Sequence, residues 1–276
     1  SCYILSLRNS AFNSFCTFTL KSNSMLKKQV PNLITLLNLL SGCIGVILAM
    51  QNNLVGAAIF VGLGIFFDFF DGLAARSLKV QSELGLQLDS LADLITSGLV
   101  PGIVMFQLMK KSIGAEYELT REWGSGSVLD FNFPVFALLG LLITLGSAYR
   151  LAKFNIDDRQ TTSFIGLPTP ANAIFILSLP LILIYQSEAW VLDLILNKWF
   201  LLAVSVLSCF MLNAEIPLFA LKFKNFSLKD NWYRFAFLIF ALATLVLFQY
   251  LALPIIIVSY VLLSVILNFS GKKVEA

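Results

Sequence analysis

The sequence predicts an all-α, polytopic integral membrane protein built as a helical bundle. Hydrophobic residues make up 58% of the 276 positions and charged residues only 13%, and the chain contains 25 phenylalanines. A soluble core of this length cannot hide so much apolar surface. Apolar runs of about 17 to 25 residues, the length that spans a bilayer, recur along the chain. We therefore expect about eight transmembrane helices.

The predicted spans follow one another with mostly short connections. Residues 1–24 lack a sustained apolar core, and we expect them to form a disordered N-terminal extension to a single membrane domain covering 25–276. The last two spans are separated only around residues 252–254, where a merged or re-entrant segment is the alternative to a tight hairpin. The eight spans cover residues 33–50, 54–76, 86–109, 133–151, 169–187, 198–221, 234–251 and 253–269.

The Lys and Arg residues of the connections are distributed asymmetrically. With the N-terminus inside, the cytoplasmic segments collect most of them, and the outer loops keep only Lys110, Lys111, Arg121 and Lys198. Positively charged loops stay on the cytoplasmic side. We therefore expect both termini, and the turn after the second span, to face the cytoplasm. The net charge of +3 is small and gives no indication of a nucleic-acid partner.

The most unusual stretch runs from Asp68 to Asp93 and carries four aspartates within apolar sequence. Four charged acids at mid-bilayer would cost about 10 to 14 kcal/mol in total, so they require a counter-charge. At about 100° per residue, Asp68 and Asp71 share one face of a helix, and Asp89 and Asp93 share one face of the next. Carboxylate oxygens suit Mg²⁺, Mn²⁺ or Ca²⁺, whereas the chain has no histidine for zinc or copper. The residues therefore predict a hard divalent cation.

Small and basic residues stand at fixed positions between these acids. The stretch reads Asp68-x2-Asp71-Gly72-x2-Ala75-Arg76-x8-Gly85-x3-Asp89-x3-Asp93. It resembles, position for position, the signature of the CDP-alcohol phosphatidyltransferase family, whose members are integral membrane enzymes. The resemblance implies a homodimer, and the Lys and Arg distribution predicts that the motif faces the cytoplasm from the cytoplasmic membrane.

The same resemblance assigns roles to the motif residues. It implies two divalent ions, Mg²⁺ or Mn²⁺, held by Asp68, Asp71, Asp89 and Asp93. Asp93 would also be the base that removes the hydroxyl proton of the acceptor. The CDP nucleotide would lie against Gly72, Ala75, Arg76 and Gly85.

Asn32 and Thr35 stand beside Pro31 at the entry to the first span. Ordinary helix-start chemistry accounts for such residues. A similar segment in members of the family lies beside the nucleotide, which implies that Asn32 and Thr35 contact CDP.

A second polar group, Arg150, Lys153 and Asn155, ends the fourth predicted span. Arg150 and Lys153 are three residues apart and share a helix face, where they can present cations to a phosphate or a carboxylate. From charge alone, anchoring at the cytoplasmic membrane surface is equally consistent. With the Gly-Leu-Pro-Thr-Pro run that follows, the segment looks like the phosphatidylserine synthase branch of the family. That resemblance implies that these residues hold serine and the lipid-linked phosphate.

The resemblance thus predicts transfer of the phosphatidyl group from CDP-diacylglycerol to the hydroxyl of L-serine, with release of CMP. The alternatives keep the chemistry but use glycerol 3-phosphate or inositol phosphate as acceptor, or an ether lipid as donor. A rival from another class is a cation transporter that uses the four acids as its ion pathway. The rival explains the acids but not the glycines, the alanine and the arginine at their spacing.

Overall fold

A computed structural model describes residues 29–114, 134–157, 164–186, 188–218 and 228–269. In these ranges the chain is helical apart from short connections and one pair of two-residue strands. The predicted all-α class is therefore confirmed there, whereas the predicted extension 1–24 lies outside the described residues. The helices are α1 (Gln29–Met50), α2 (Leu54–Leu78), α3 (Glu83–Ser112), α4 (Val135–Ile156), α5 (Thr169–Tyr185), α6 (Ala189–Ile195), α7 (Lys198–Asn213), α8 (Leu228–Phe248) and α9 (Ala252–Phe269).

Five helical stretches in the described part of the chain are long and apolar enough to cross a membrane. They are α1, α2, α3, α4 and the stretch Trp232–Asn268, which contains most of α8 and α9. A sixth is added if α6 and α7, which meet at a bend of 62°, form one span. α5 is apolar but shorter, with 17 residues. Each apolar run predicted from the sequence overlaps a helix within the described residues.

The sixth predicted run, 198–221, ends as a helix at Asn213. The chain then extends into strand β2 (Pro217–Leu218), which pairs antiparallel with strand β1 (Phe164–Ile165), Ile165 lying opposite Pro217. Proline has no backbone N–H for a helical hydrogen bond. Residues 214–218 therefore belong to the predicted run but are not helical, and 219–221 lie outside the described residues.

Helix α3 forms the centre of the bundle. In its most apolar stretch of 18 residues, 67% of the residues are buried inside the protein, compared with 22% in the corresponding stretch of α2. The helix contains a π-helical segment, Leu94–Leu99, between two α-helical parts. Pro101 is the second residue after this segment and cannot donate to the carbonyl of Ser97, as an α-helix would require. The wider π turn accommodates this break in the hydrogen-bond ladder.

Helices α8 and α9 form an antiparallel hairpin. The rings of Phe237 and Tyr260 have their centroids 5.8 Å apart, whereas a straight helix would separate these positions by about 34 Å. The side chain of Gln186 binds the turn between the helices: Nε2 donates to the carbonyl of Phe248 and Oε1 accepts from the N–H of Leu251, both at 2.8 Å. The last two predicted spans are therefore joined by a tight hairpin.

Candidate metal centre and active site

A four-residue turn between α2 and α3 brings the two acid-bearing helices together. Lys79 adopts a left-handed conformation, with φ of 54°, and its backbone N–H bonds to the carbonyls of Ala75 and Arg76. Ser82 then caps α3, because its hydroxyl accepts from the N–H of Gly85 at 3.0 Å. The end of α2 and the start of α3 therefore lie side by side, with their carboxylates facing each other.

Asp68, Asp71 and Asp89 form one cluster between these helices. One carboxylate oxygen from each lies within 4.8 Å of the other two. Two ligands bound at about 2.0 to 2.6 Å from the same Mg²⁺ or Ca²⁺ ion are at most about 5.2 Å apart. The three predicted ligands are therefore close enough together to share a single hard cation.

The environment of the cluster fits a cation. Asp89 Oδ1 is buried and has no hydrogen-bond partner among the described residues. Asp71, only 6% exposed, accepts a 2.5 Å hydrogen bond from Thr35 Oγ1 on its Oδ2 atom. Ionised carboxylates this close repel one another strongly in a partly buried site. A divalent cation would give the Asp89 Oδ1 atom a partner and would offset the repulsion between the carboxylates.

Asp93 lies one helical turn further along α3, outside this three-residue cluster. Its Oδ1 accepts a hydrogen bond from Asn38 Nδ2 at 3.2 Å. The guanidinium of Arg150, only 8% exposed, interacts electrostatically with it from α4. Asp93 is therefore close to the cluster but is not one of the three acids whose oxygens lie within 4.8 Å of one another. Its predicted roles as ligand and base stay predictions.

A cavity of about 510 Å³ opens beside the cluster, a volume typical of small-molecule sites. Gly85 lies close to Asn32, whose Oδ1 would be 3.3 Å from a Cβ at that position. The Arg76 guanidinium folds back over Gly72, with Nη2 3.7 Å from a corresponding Cβ there. The cavity lining includes five of the six residues predicted to contact the nucleotide, namely Asn32, Thr35, Gly72, Ala75 and Gly85. Their nucleotide contacts stay a prediction.

The three predicted acceptor residues of α4 point in different directions. Arg150 is buried and interacts electrostatically with Asp93, as described above. Asn155 bonds to α3, where its Nδ2 donates to Ser90 Oγ at 3.0 Å and to Gln87 Oε1 at 3.3 Å. These contacts hold the end of α4 beside Asp89, the neighbour of Ser90 in the chain. They also show that Asn155 already has partners within the protein.

Lys153 forms an ion pair with Glu215, with Nζ 3.2 Å from Oε1. The two side chains are 31% and 64% exposed, so the pair lies at the rim of the bundle. Two placements for Glu215 are compatible with the sequence, next to a basic residue or inside a polar cavity. The structure places it next to a basic residue.

Sequence reasoning missed Asn38 and Thr96. Both side chains are fully buried, and Thr96 Oγ1 lies 2.8 Å from Asn38 Oδ1. Each is a polar residue inside an apolar run, and uncharged amides and hydroxyls in membrane helices bond across helix interfaces. A polar residue within an apolar run is therefore a signal that the sequence contains, but the sequence does not show which residue on another helix it bonds to.

The sequence model of the CDP-alcohol phosphatidyltransferase family matches residues 28–211, about two thirds of the chain. The protein therefore belongs to the CDP-alcohol phosphatidyltransferase family, and the resemblance drawn from the acid motif is confirmed. The matched region contains α1 to α6 and most of α7, together with every site residue discussed above except Glu215.

Several relatives have assigned activities. A CDP-diacylglycerol--serine O-phosphatidyltransferase of Bacillus subtilis is 32% identical over 142 residues, which cover 51% of this chain and 69% of the relative. An archaetidylserine synthase of Methanothermobacter thermautotrophicus is 29% identical over 180 residues, covering 64% of this chain and 66% of the relative. A CDP-diacylglycerol--serine O-phosphatidyltransferase of Mycobacterium tuberculosis is 26% identical over 240 residues, covering 84% and 75%.

Replacing Asp89 with asparagine is expected to weaken binding of Mn²⁺ to the purified protein in detergent, without substrate. The change removes one negative charge and one anionic ligand, so affinity should fall at least tenfold, about the lower end of what losing an outer-shell partner costs. Electron paramagnetic resonance titration of free Mn²⁺ measures the effect. Asp193→Asn, at an exposed position on α6, is the matched control. Equal Mn²⁺ affinity in the two variants would contradict the assignment.

Proposed function

We propose that this protein transfers the phosphatidyl group of CDP-diacylglycerol to the hydroxyl of L-serine, producing phosphatidylserine and CMP. The observation that carries the proposal is the cluster of Asp68, Asp71 and Asp89 beside a cavity of about 510 Å³. Membership of the family supports the reaction type. Relatives named for serine support the acceptor.

The charges of the substrates explain why such a site needs both acids and cations. CDP-diacylglycerol carries an anionic pyrophosphate, which carboxylates alone would repel. Asp68, Asp71 and Asp89 would hold the two expected Mg²⁺ or Mn²⁺ ions, which when bound would supply positive charge against the pyrophosphate and the leaving group. Gly72 and Gly85 leave room for the nucleotide to approach the helices. Arg76, folded over Gly72, would offset phosphate charge from the side.

The acceptor hydroxyl must lose its proton as its oxygen bonds to phosphorus. We assign Asp93 as the base that takes this proton, since it lies one turn from Asp89 on the same face of α3. The phosphorus–oxygen bond to CMP breaks as the new ester forms, so the products are phosphatidylserine, CMP and one proton. Arg150, which interacts electrostatically with Asp93, would hold the carboxylate of serine or the lipid-linked phosphate beside the base.

Two variants of this function share the same site. The likeness to an archaetidylserine synthase favours one of them, in which the donor lipid carries ether chains. The other uses glycerol 3-phosphate or inositol phosphate as the acceptor. A cation transporter is disfavoured, because membership of this family accounts for the glycines, alanine and arginine of the motif and transport does not.

The arrangement in the membrane follows from the charge distribution. We propose eight spans with both termini and the turn between α2 and α3 on the cytoplasmic side, and a homodimer in the cytoplasmic membrane. The α8 and α9 hairpin supports counting the last two helices separately. A cytoplasmic site would admit serine from the cytosol and the donor from the lipid phase.

An acceptor panel tests the proposed function. Purified protein in detergent, with CDP-diacylglycerol and Mg²⁺ or Mn²⁺, is expected to release CMP only when an acceptor and the metal are present. The yield should be highest with L-serine, and the product should be phosphatidylserine. A higher rate with glycerol 3-phosphate or inositol phosphate would show that this compound, and not serine, is the acceptor. No CMP release with any acceptor would overturn the enzyme assignment.

Arg150→Ala and Lys153→Ala are each expected to raise the serine KM or abolish transfer, because the carboxylate of serine needs a cationic partner. Steady-state rates at limiting serine measure the effect. Lys198→Ala, at an exposed lysine on α7 that is expected to lie on the outer side, is the control. If either variant keeps wild-type kinetics, that residue serves only to anchor the helix at the membrane surface.

Labelling of a single cysteine introduced at Ser77 tests the topology, in a background without native cysteines. Ser77 lies in the last turn of α2, and a cysteine there is expected to react with a membrane-impermeant maleimide only after the cells are opened. A cysteine at Asn52, between α1 and α2, is the control that should react in intact cells. Labelling of the Ser77 position from outside would reverse the proposed orientation.

A further inference from the structure

The side chain of Asn38 bridges two parts of α3 from helix α1. Its Nδ2 donates to Asp93 Oδ1 at 3.2 Å, and its Oδ1 accepts from Thr96 Oγ1 at 2.8 Å. Asn38 and Thr96 are both 0% exposed. The bridge therefore lies in the packed interior, where a polar group that loses its hydrogen-bond partner destabilises the protein.

The chemistry of the three groups fixes the direction of this chain of hydrogen bonds. An ionised carboxylate can only accept, so the amide nitrogen of Asn38 must face Asp93. The amide oxygen must then face Thr96, whose hydroxyl is a donor. A flip would direct the Asn38 oxygen at the carboxylate of Asp93, so the carboxylate fixes which way the amide faces, and the bond from the Thr96 hydroxyl holds the amide in that orientation.

The position of Thr96 is determined by the shape of α3 and by its neighbours. Thr96 belongs to the π-helical segment that begins immediately after Asp93. It also packs so closely against Gly42 of α1 and Gly64 of α2 that a Cβ at either glycine would clash with its side chain. Thr96 is therefore fixed by its own helix and by contacts with α1 and α2. Its hydrogen bond to Asn38 restrains the side chain of Asn38 in turn.

We propose that Asn38 and Thr96 are positioning residues that hold the Asp93 carboxylate in one orientation for proton removal from the acceptor. With Oδ1 engaged by Asn38, the second oxygen, Oδ2, is the one presented to the hydroxyl. The proposal rests on the proposed function, because it acts through the role of Asp93 as the base. Neither residue touches the substrate in this account.

Thr96→Val, which removes the hydroxyl and keeps the shape, tests the proposal in the full-length enzyme. It is expected to lower kcat for CMP release by about 10- to 100-fold, the loss that corresponds to one unsatisfied buried group. KM for CDP-diacylglycerol and serine should change by no more than about twofold, since ground-state binding is untouched. Thr96→Ser keeps the donor and should restore most of the rate.

Two controls separate positioning from a loss of folded protein. Binding of CDP in the presence of Mg²⁺, measured by calorimetry, should keep the wild-type stoichiometry in Thr96→Val. Thr244→Val removes a buried hydroxyl whose hydrogen bond among the described residues lies within α8, to the carbonyl of Phe240 at 2.7 Å, and should leave kcat unchanged. An unchanged kcat in Thr96→Val would overturn the proposal, and so would an equal loss in Thr96→Ser or a matching loss of CDP sites.

A double-mutant cycle measured by thermal unfolding does not depend on catalysis, so it tests the positioning role separately from the proposed function. If Asn38 links the side chains, the destabilisation by Thr96→Val and Asp93→Asn should be non-additive, whereas Thr244→Val and Asp93→Asn should add. Additive effects in both cycles would overturn the positioning role. A wild-type protein that releases no CMP overturns the proposed function instead, and the unfolding cycle then decides whether the bridge exists.

Discussion

The concentration of carboxylates between α2 and α3 is the constraint on which the rest of the structure depends. Asp68, Asp71 and Asp89 converge within a bundle whose helices are otherwise apolar, and one oxygen of Asp89 has no partner among the described residues. Neither packing nor backbone hydrogen bonds can neutralise such a group. A divalent cation can, and it would turn a costly cluster into a site for a pyrophosphate.

The helices around the cluster supply fixed dipoles and one buried cation. α1 contributes Thr35 to Asp71 and Asn38 to Asp93, and α4 contributes Arg150 and Asn155. These contacts join elements that are far apart in the sequence, so they hold the acids in place against their repulsion. The central position of α3 and its π turn have a functional consequence, because they determine where Asp93 and Thr96 point.

The parts that follow from local helical geometry were predictable from the sequence. The 100° spacing placed the acids on facing helix surfaces, and the fixed spacing of glycine and alanine indicated the family. The partners of Asn38 and Thr96 depend on how α1 packs against α3 and on a π turn, neither of which a 3.6-residue period reveals. For Lys153 the sequence left open a surface anchor or a substrate contact, and its pairing with Glu215 depends on the strand after α7.

The central claim is that Asp93 removes the acceptor proton and also contributes to the metal site formed by Asp68, Asp71 and Asp89. The most direct test is single-turnover CMP release by Asp93→Asn at saturating serine and Mg²⁺ or Mn²⁺. We expect a decrease greater than the roughly 10²- to 10⁴-fold loss typical of removing a general base, because a metal contact is lost as well. CDP-diacylglycerol binding should suffer less, since Asp68, Asp71 and Asp89 remain. A rate near wild type would contradict the account and assign the proton to another acid or to a water molecule.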